Sequence, residues 1–489
     1  MKCANIMLAG GLALSVGLLG STSLVSADEA VARQLDADLS ELFEPFGISS
    51  DDFEVTSLGT TYLVEYSFDR LIASLAENDI QVTFDGVLSE ELEPVGNGEW
   101  NYVGLTLPDI TASVEVDGNQ VEFLTYKFIE PIEITGTLNL EAGLYEFADI
   151  TIAEFQSETF AEPGPVTTVG EDLRIRLNAS LDEAGTYDLS LFTSIARVTQ
   201  NLPVADGMSL AVSLENMETT TNYEGLALGA VSGLVQFLAD RWDEDELSDA
   251  DQLEMLSLIE EALPVVEFID YDALISSMVI ETPVGPVSLQ NLDMAFSTDG
   301  VVDDGAANMG FRFDGLTLPA AAVPPWATQI VPQVFNLGIE AHGYDLDAPI
   351  QYALENVDVT ADDPMSEEQR AQFSSLLLPD ETVELELTAG LLESDLYSVT
   401  IEGGLSVYPE TDGSDPSAEA QFVITMDGLD DVMSHLSDSA GSDPMVQQII
   451  PGLFLAKGMS ETGPDGEAIW EIEIDRDENV FVNGQKMNP

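Results

Sequence analysis

The side chains that could perform chemistry in this sequence are almost all carboxylates. The chain has two histidines, His342 in "IEAHGYDLD" and His435 in "DVMSHLSDS", and a single cysteine, Cys3, ahead of an apolar N-terminal run. A three-histidine zinc site is therefore impossible, and a chain without Cys3 has no thiolate ligand or cysteine nucleophile. No Gly-x-Ser-x-Gly turn presents a serine after that apolar run. We expect both histidines to be ordinary surface or core residues.

Carboxylates are too numerous to identify a site by themselves. With 91 Asp and Glu residues, some pair will lie at the separations that glycoside hydrolases use, about 5 Å or ~6.5–9.5 Å. A carboxylate-dependent hydrolase is therefore an open alternative without named residues. The sequence contains no glycine-rich phosphate loop. We predict no catalytic residue and no cofactor.

A calcium site is the remaining metal chemistry to consider. In "DRDENVFVNGQK", Asp475, Asp477 and Asn479 occupy positions 1, 3 and 5 of an EF-hand-like loop. Val480 stands where that loop needs Gly, and Lys486 stands where it needs Glu. We therefore predict a hairpin turn and no metal site. The acidic loops "STDGVVDDGAAN" and "PETDGSDPSAE" are predicted to be solvated turns, with an acidic cation-binding surface protein as a second alternative.

One phrase occurs twice in the chain, in "EWNYVGLTLPDI" and in "GFRFDGLTLPAA". Each copy is predicted to be a strand with its aromatics on one face, a bulge or bend at the glycine, and a proline that ends the ladder. Only its threonine could act as a nucleophile, so we interpret the phrase as repeated architecture and as a sign that the two halves are related. The repeated residues are Trp100, Tyr102, Gly104 and Pro108 in the first copy and Phe311, Phe313, Gly315 and Pro319 in the second.

Hydrophobic periodicity predicts mostly strands with a few helices. A first helix in "DEAVARQLDADLSELFEPFG" has an apolar face of Val31, Leu35, Leu39 and Leu42. Further helices are predicted over Gly225–Ala239, over Leu253–Leu263 after the cap Ser248, and after the Ser366/Gln369 capping box. Alternating strands fill most of the rest. The predicted fold is a β-dominated α+β protein, in which two related halves of long antiparallel curved sheets cover these helices.

The N-terminus has the pattern of an export signal. Lys2 precedes the apolar run 6–20, and Val25 and Ala27 are the small residues expected before a cleavage site, so cleavage is predicted between Ala27 and Asp28. Retention of the segment as an anchor is the alternative. The predicted organisation is a signal peptide at 1–27, a β-rich half at 28–240 ending in an apolar helix, and a β-rich half at 241–489 opening with a helix. We expect a periplasmic protein whose mature chain has no transmembrane span.

The charge of the chain is strongly negative. Its 13 basic residues against 91 acidic ones give a formal net charge of −78, although 45% of its residues are hydrophobic. The hydrophobic content predicts a folded chain, and the charge excludes nucleic acid as a partner. We interpret the acidity as adaptation to a salty medium, in which counterions screen the repulsion between acids. The melting temperature is therefore expected to rise in a series of increasing NaCl concentrations, and a constant value would contradict this interpretation.

Several segments resemble a known family. The stretches "VIETPVGPVSLQNLDMAFSTDG", "FRFDGLTLPAAAVPPWATQIVPQVFNLGIEA" and "GEAIWEIEIDRDENVFVNGQKM" resemble an exported, mostly alphaproteobacterial family known as domain of unknown function 2125. That resemblance extends over residues 60–485 and implies no catalytic residues. More loosely, the repeated strands resemble AsmA-like envelope proteins, which implies long curved sheets with an apolar groove associated with lipid handling.

The function expected from these observations is non-enzymatic. We expect a periplasmic envelope protein that binds a lipid or another apolar molecule in a groove between curved sheets. The hydrolase and the cation-binding surface protein are the alternatives. A structure in which both halves are filled by their own side chains would contradict the groove.

Overall fold

The computed structural model describes most of the chain after the predicted signal segment. The described residues are 29–43, 49–69, 72, 80–96, 98–116, 119–140, 144–161, 164–182, 185–204, 209–227, 231, 233–234, 237–238, 241, 248–356, 365–379, 382–408, 417–439 and 443–487. The predicted cleavage site at Ala27 and Asp28 and about half of the predicted helix Gly225–Ala239 lie outside these residues.

The described residues form six helices and 23 strands. The helices are α1 Glu29–Phe43, α2 Asp249–Ala262, α3 Asp347–Asn356, α4 Glu367–Leu377, α5 Leu429–Ser439 and α6 Pro444–Met459. The strands are β1 Phe53–Ser57, β2 Tyr62–Tyr66, β3 Ile80–Asp85, β4 Leu88–Gly96, β5 Glu99–Thr106, β6 Asp109–Val116, β7 Asn119–Asn139, β8 Leu144–Ala161, β9 Gly164–Leu181, β10 Tyr187–Pro203, β11 Ser209–Leu214, β12 Asn216–Leu226, β13 Phe268–Thr282, β14 Gly285–Asp299, β15 Gly305–Asp314, β16 Val334–Tyr344, β17 Val383–Glu393, β18 Ser398–Tyr408, β19 Ser417–Asp427, β20 Glu461–Thr462, β21 Ala468–Ile474, β22 Val480–Val482 and β23 Gln485–Lys486.

The predicted β-dominated α+β class is confirmed, and the chain divides into two compact units. Unit 1 comprises Met1–Ala196, Gln200–Met208 and Asn222–Val265, and unit 2 comprises Arg197–Thr199, Ser209–Thr221 and Val266–Pro489. Within the described residues, no helix is both long enough and apolar enough to cross a bilayer.

Unit 1 is built around the long strand β7. One edge of β7 pairs antiparallel with β8, which pairs in turn with β9. The other edge pairs with β6 near its start and with β5 at its end. From there the ladder continues through β4 and β2 to β1, while β3 pairs with β6.

Helix α1 fills the apolar side of this unit. Leu35, Leu39 and Phe43 recur every four residues, so they share one face of the helix, and each is at most 1% exposed. They belong to a single buried cluster with residues of β2, β4, β5, β7 and β8. Within it the rings of Tyr62 and Trp100 meet edge to face, with centroids 5.4 Å apart. Unit 1 therefore has a core closed by its own side chains.

Glu90 is a carboxyl group on the core side of β4. It lies opposite Val64 of β2 and Leu105 of β5, which both belong to the core cluster, so it shares their face of the sheet. Burial raises the pKa of its carboxyl to about 7, against a hydrogen bond donated by the Tyr66 hydroxyl at 3.1 Å that lowers it. Folding therefore favours the protonated acid.

The stability of unit 1 is expected to fall as Glu90 ionises. The pKa of Glu90 is higher in the folded state than in the unfolded chain. Its stabilising contribution to the free energy of unfolding is therefore full below pH 4.5 and is lost as the pH rises through about 7. The rise corresponds to about 3 kcal/mol at about 1.36 kcal/mol per unit. Glu90→Gln should remove this loss in urea unfolding at pH 5 and pH 8. Glu93 is an exposed acid of the same strand, so Glu93→Gln should still lose stability between pH 5 and pH 8. Equal effects of the two variants would contradict the assignment of this loss to Glu90.

Unit 2 is an antiparallel meander. Strand β11 pairs with β13, and β13 to β19 then pair each with the next along the chain. Strand β19 pairs with β21, which is followed by β22 and β23, and the short β20 also pairs with β21. Register shifts interrupt the ladder between Gly338 and Ile339 and between Leu387 and Leu391.

The helix predictions are confirmed where the signal is a cap. Ser248 caps α2 by accepting a hydrogen bond from the Asp251 amide at 3.3 Å, and Ser366 and Gln369 form the predicted capping box of α4. The helix predicted over Gly225–Ala239 is wrong only at its start: Gly225 and Leu226 belong to β12, and Gly225 has a left-handed φ of +64°. Further along, the described residues Val231, Gly233, Leu234, Phe237 and Leu238 are helical. The predicted cover of α2 is wrong at its first apolar residue. Leu253 of α2 is 63% exposed, so no sheet covers it.

The repeated phrase has the predicted structural role in unit 1. Trp100 and Tyr102 are buried on one face of β5, and Gly104 follows a register shift against β4. Pro108 ends the strand. A second element accompanies the phrase: Gly86, at φ +113°, lies against Pro108, so that an added Cβ would be 3.5 Å from the Pro108 Cα.

Unit 2 repeats this arrangement. Gly285, at φ +123°, lies against Pro319, where an added Cβ would be 2.9 Å from the proline Cβ. In both units the serine three residues after the glycine pairs with the threonine of the phrase, Ser89 with Thr106 and Ser288 with Thr317. In each unit the repeat therefore consists of a glycine that packs against the proline of the phrase and a serine that pairs with its threonine.

The second copy departs from the prediction in two respects. Gly315 is not within a strand, because β15 ends at Asp314 and Gly315 adopts φ +68°. Phe311 is 37% exposed, whereas the matching Trp100 is 7% exposed. The first aromatic residue of the phrase is therefore buried in the core of unit 1 but partly exposed on the surface of unit 2.

Candidate functional site: an apolar face on the sheet of unit 2

One face of the unit 2 sheet is apolar across eight strands. Residues directly opposite each other on paired strands point to the same side, so the register places side chains of different strands in common rows. One row runs across β13 to β19 and β21: Tyr271, Phe296, Met309, Ile339, Leu387, Gly403, Phe422 and Ile472. It contains no charged residue.

Neighbouring rows on the same side repeat this composition. A second row lies two residues further along each strand, or three along β17, where the register shifts. It reads Ala273, Met294, Phe311, Leu337, Gly390, Ile401, Ile424 and Trp470. A third row reads Ile275, Leu292, Phe313, Phe335, Leu392, Val399, Met426 and Ala468. We call these three rows the apolar face.

The apolar face is not closed as a core. Phe296, Met309 and Phe311, on the adjacent strands β14 and β15, are 42%, 56% and 37% exposed. Within the three rows, only the small residues Ala273 and Ala468 are buried. Large apolar side chains that remain in contact with water are the usual mark of a binding surface.

Aromatic rings give the apolar face a fixed centre. Phe313 and Phe335 stack with ring centroids 5.6 Å apart, and Phe311 meets them edge to face at 6.3 and 5.9 Å. Because Phe313 lies directly opposite Phe335, and Phe311 lies two residues along β15 on the same face, the ladder itself holds the rings in place. They form a rigid apolar platform beside the exposed Met309.

Helices α5 and α6 cover one end of the apolar face. Leu429 and Met433 of α5 pack with Met426, Ala468 and Trp470 of β19 and β21. The Trp470 indole N–H donates to the Ala456 carbonyl of α6 at 2.8 Å. The exposed centre on β14 and β15 lies several strands away from this covered end.

The opposite side of the same sheet is polar and acidic. The row that alternates with the first apolar row is Asp270, Ser297, Asn308, Glu340, Glu386, Gly404, Gln421 and Glu473. Alternation along each strand therefore separates an apolar face from an acidic one.

Two hollows lie on the acidic side. A cavity of about 350 Å³ has Gly310 and Ala295 in its lining with Asp272, Asp293 and Arg312. Burial, and secondarily the charge of Asp270, raise the pKa of Asp272. A broader hollow of about 860 Å³ is lined by carboxylates, among them Glu384, Glu402 and Glu473. These hollows are where carboxylates lie together, as the hydrolase and cation-binding alternatives require.

Neither histidine ring is hydrogen-bonded to a serine. The Nε2 atom of His342 lies 3.0 Å from a carboxylate oxygen of Glu384, and that of His435 lies 2.8 Å from the Trp326 carbonyl oxygen. Both rings are thus engaged with oxygen acceptors, and neither is arranged as the base of a serine nucleophile.

The predicted hairpin turn at Asp475 is confirmed. The Asp475 carboxylate accepts hydrogen bonds from the backbone amides of Asp477 and Asn479, at 3.0 and 2.9 Å, and from the Asn479 side chain. These bonds lower the pKa of Asp475. Over the part of the chain that the structure describes, no group of three His, Cys, Asp or Glu residues is arranged to hold a metal ion.

The predicted residues thus divide between two settings. Trp100 and Tyr102 belong to the closed core of unit 1, and Phe311 and Phe313 belong to the apolar face. Sequence reasoning missed the face itself, although its signal is present: apolar residues alternate with polar ones in every one of its strands. Comparison of the chain with protein-family models, with curated proteins and with solved structures finds no match.

Proposed function

We propose that the protein binds an apolar molecule, such as the acyl chains of a lipid, on the apolar face of unit 2. The observation that carries the proposal is the apolar face, whose three uncharged rows cross eight strands and leave Phe296, Met309 and Phe311 exposed on β14 and β15. Covering apolar surface yields about 25 cal/mol per Å². In unit 1, by contrast, α1 packs against the sheet and closes a buried cluster.

The shape of the surface favours a flexible chain as the ligand. The rows run across the strands, about 4.8 Å from one strand to the next, so eight strands span about 34 Å. That is long enough to lie along an extended acyl chain. The aromatic platform of Phe311, Phe313 and Phe335 would contact such a chain side-on.

The proposed role is carriage or storage of this ligand in the periplasm, without chemical conversion. The support for this setting is the export-signal pattern at residues 1–27. The support for a binding role is the composition of the apolar face, whose rows contain no charged side chain.

Native mass spectrometry tests the proposal directly. The protein is purified without detergent from the periplasm of its own host, and half of the sample is extracted with organic solvent. The expected result is a chain that begins at Asp28 and carries a stoichiometric apolar molecule, which the extraction removes and identifies. A ligand-free mass that incubation with host lipid extract leaves unchanged would overturn the proposal and direct attention to the acidic hollows.

A further inference from the structure

Helix α6 has a second side with large apolar residues that the described residues of unit 2 leave exposed. Its inner side packs against α5 and the sheet through the buried Val446 and the partly buried Ile449 and Leu453. On its outer side, Phe454 and Leu455 are 58% and 64% exposed. Gln447 and Gln448 are also exposed, in the first half of the helix, so the exposed apolar residues Phe454 and Leu455 lie in its second half.

The outer side of α6 is also uncharged. Lys457 is the only charged residue in the helix, and its ammonium is paired with Asp430 of α5. In the whole chain, 21% of residues are charged and the net charge is −78. A four-turn helix whose one charged residue is paired differs from the acidic composition of the rest of the chain. Bringing it close to an apolar phase therefore requires the desolvation of few charges.

The size and form of this side disfavour a protein partner. Sixteen residues make a helix about 24 Å long and ~10 Å wide, whose outer side is about 240 Å² in area. A stable protein interface buries about 800 Å² on each partner. A Cβ added at Gly452 or Gly458 would meet no described atom within 4 Å, so the helix stands as a ridge without a neighbouring wall to seat a strand or a second helix.

A bilayer surface fits the same ridge. At about 24 Å the helix is shorter than the ~30 Å hydrocarbon core, so it would lie in the interface and not span the membrane. Exposed Phe and Leu side chains are suited to insertion among acyl chains. Because the chain is strongly acidic, a zwitterionic surface is accessible to it and an anionic one repels it.

The position of α6 connects this side with the apolar face. The inner side of α6 contacts Trp470 and Met426, and both residues belong to rows of that face. A bilayer in contact with the outer side would therefore lie next to the covered end of the proposed ligand site.

We propose that the outer side of α6, around Met445, Phe454 and Leu455, docks this protein on the surface of a zwitterionic lipid bilayer. This goes beyond ligand binding, because a ligand-binding protein needs no membrane contact of its own. The docking depends on a few exposed side chains that contribute little to the fold, so it can be removed without unfolding unit 2.

Flotation with phosphatidylcholine vesicles tests the docking, with a matched pair of variants. Leu455→Ser removes a leucine that is 64% exposed on α6, and Leu253→Ser removes one that is 63% exposed on α2. The wild type and Leu253→Ser are expected to float with the vesicles. Leu455→Ser should bind several-fold more weakly, and Phe454→Ser/Leu455→Ser at least tenfold more weakly, with unchanged melting temperatures.

Two results would overturn the docking: a wild-type chain that stays in the bottom fraction, or equal flotation of the double variant and the wild type. Vesicles that contain phosphatidylglycerol should bind less protein at low salt and more after NaCl is added, and the reverse order would also contradict it. Binding of a monomeric fluorescent fatty acid separates this inference from the proposed function. The double variant should retain that binding whether or not the wild type floats.

Discussion

Met309→Asp is expected to abolish binding of an apolar ligand to unit 2. Met309 is 56% exposed and lies between Phe296 and Ile339 in the uncharged row. An aspartate there would place an ionised carboxylate beneath the hydrocarbon of the ligand, and an unpaired charge in an apolar contact is strongly unfavourable. Since each 1.4 kcal/mol is tenfold in affinity, the Kd for a fluorescent fatty acid should rise at least about a hundredfold.

The control for this variant is its neighbour in the same strand. Asn308 points to the acidic side of β15, so Asn308→Asp adds the same charge one residue away on the opposite face. It should leave the Kd unchanged, and both variants should keep the wild-type melting temperature because neither site is a closed core. Equal weakening by both substitutions would show that the added charge acts at long range, and the apolar face would then not be the binding site.

The strand pattern could be predicted from the sequence because it is local. The alternation of apolar and polar residues over β13 to β19 predicts which side chains share a face of each strand. It does not predict whether another element covers that face. Trp100 and Phe311 occupy the same place in the same repeated phrase, yet one is 7% and the other 37% exposed. The difference comes from α1, whose contact with the first sheet depends on packing between distant segments.

The repeat shows a second reason why the sequence predicts the structure only in part. Its identical part, Gly-Leu-Thr-Leu-Pro, is recognisable from the sequence. Its partner is the pair of short segments "GVLS" and "GPVS", which begin at Gly86 and Gly285 and are identical at only two of four positions. What unites them is geometry: a glycine with φ above +110° that accepts the proline of the phrase at close range. Such a contact becomes recognisable only when the two strand ends are brought together.

Helix prediction succeeded and failed for equally physical reasons. The caps Ser248 and Ser366 act within one turn of chain, so their signal is complete in the sequence. In the uncharged run that begins at Gly225, the described residues between 231 and 238 are helical, as periodicity predicts. Only the predicted start of that helix is wrong, because Gly225, with its left-handed φ, and Leu226 still belong to β12. An apolar stripe on a helix likewise predicts which residues share a face, but not whether another element packs on that face. The exposed Leu253 of α2 is an example.

A pair of Phe→Ala substitutions is expected to distinguish the closed unit from the open one. Phe43 is 1% exposed and meets the ring of Phe53 at 5.8 Å in the unit 1 core. Phe43→Ala should therefore leave a cavity and lower the free energy of unfolding by about 3–5 kcal/mol. Phe311 is 37% exposed, so Phe311→Ala should cost no more than about 1.5 kcal/mol, mostly through its lost ring contacts.

Urea unfolding and fatty-acid binding, measured on both variants, complete the comparison. Phe43→Ala should be less stable but bind the ligand normally at low denaturant, because unit 1 has no part in the apolar face. Phe311→Ala should be nearly as stable as the wild type and bind more weakly. If instead Phe311→Ala lost as much stability as Phe43→Ala, the sheet of unit 2 would be working as a packed core. Its apolar residues would then serve the fold, and the proposal that they hold a ligand would fail on that result alone.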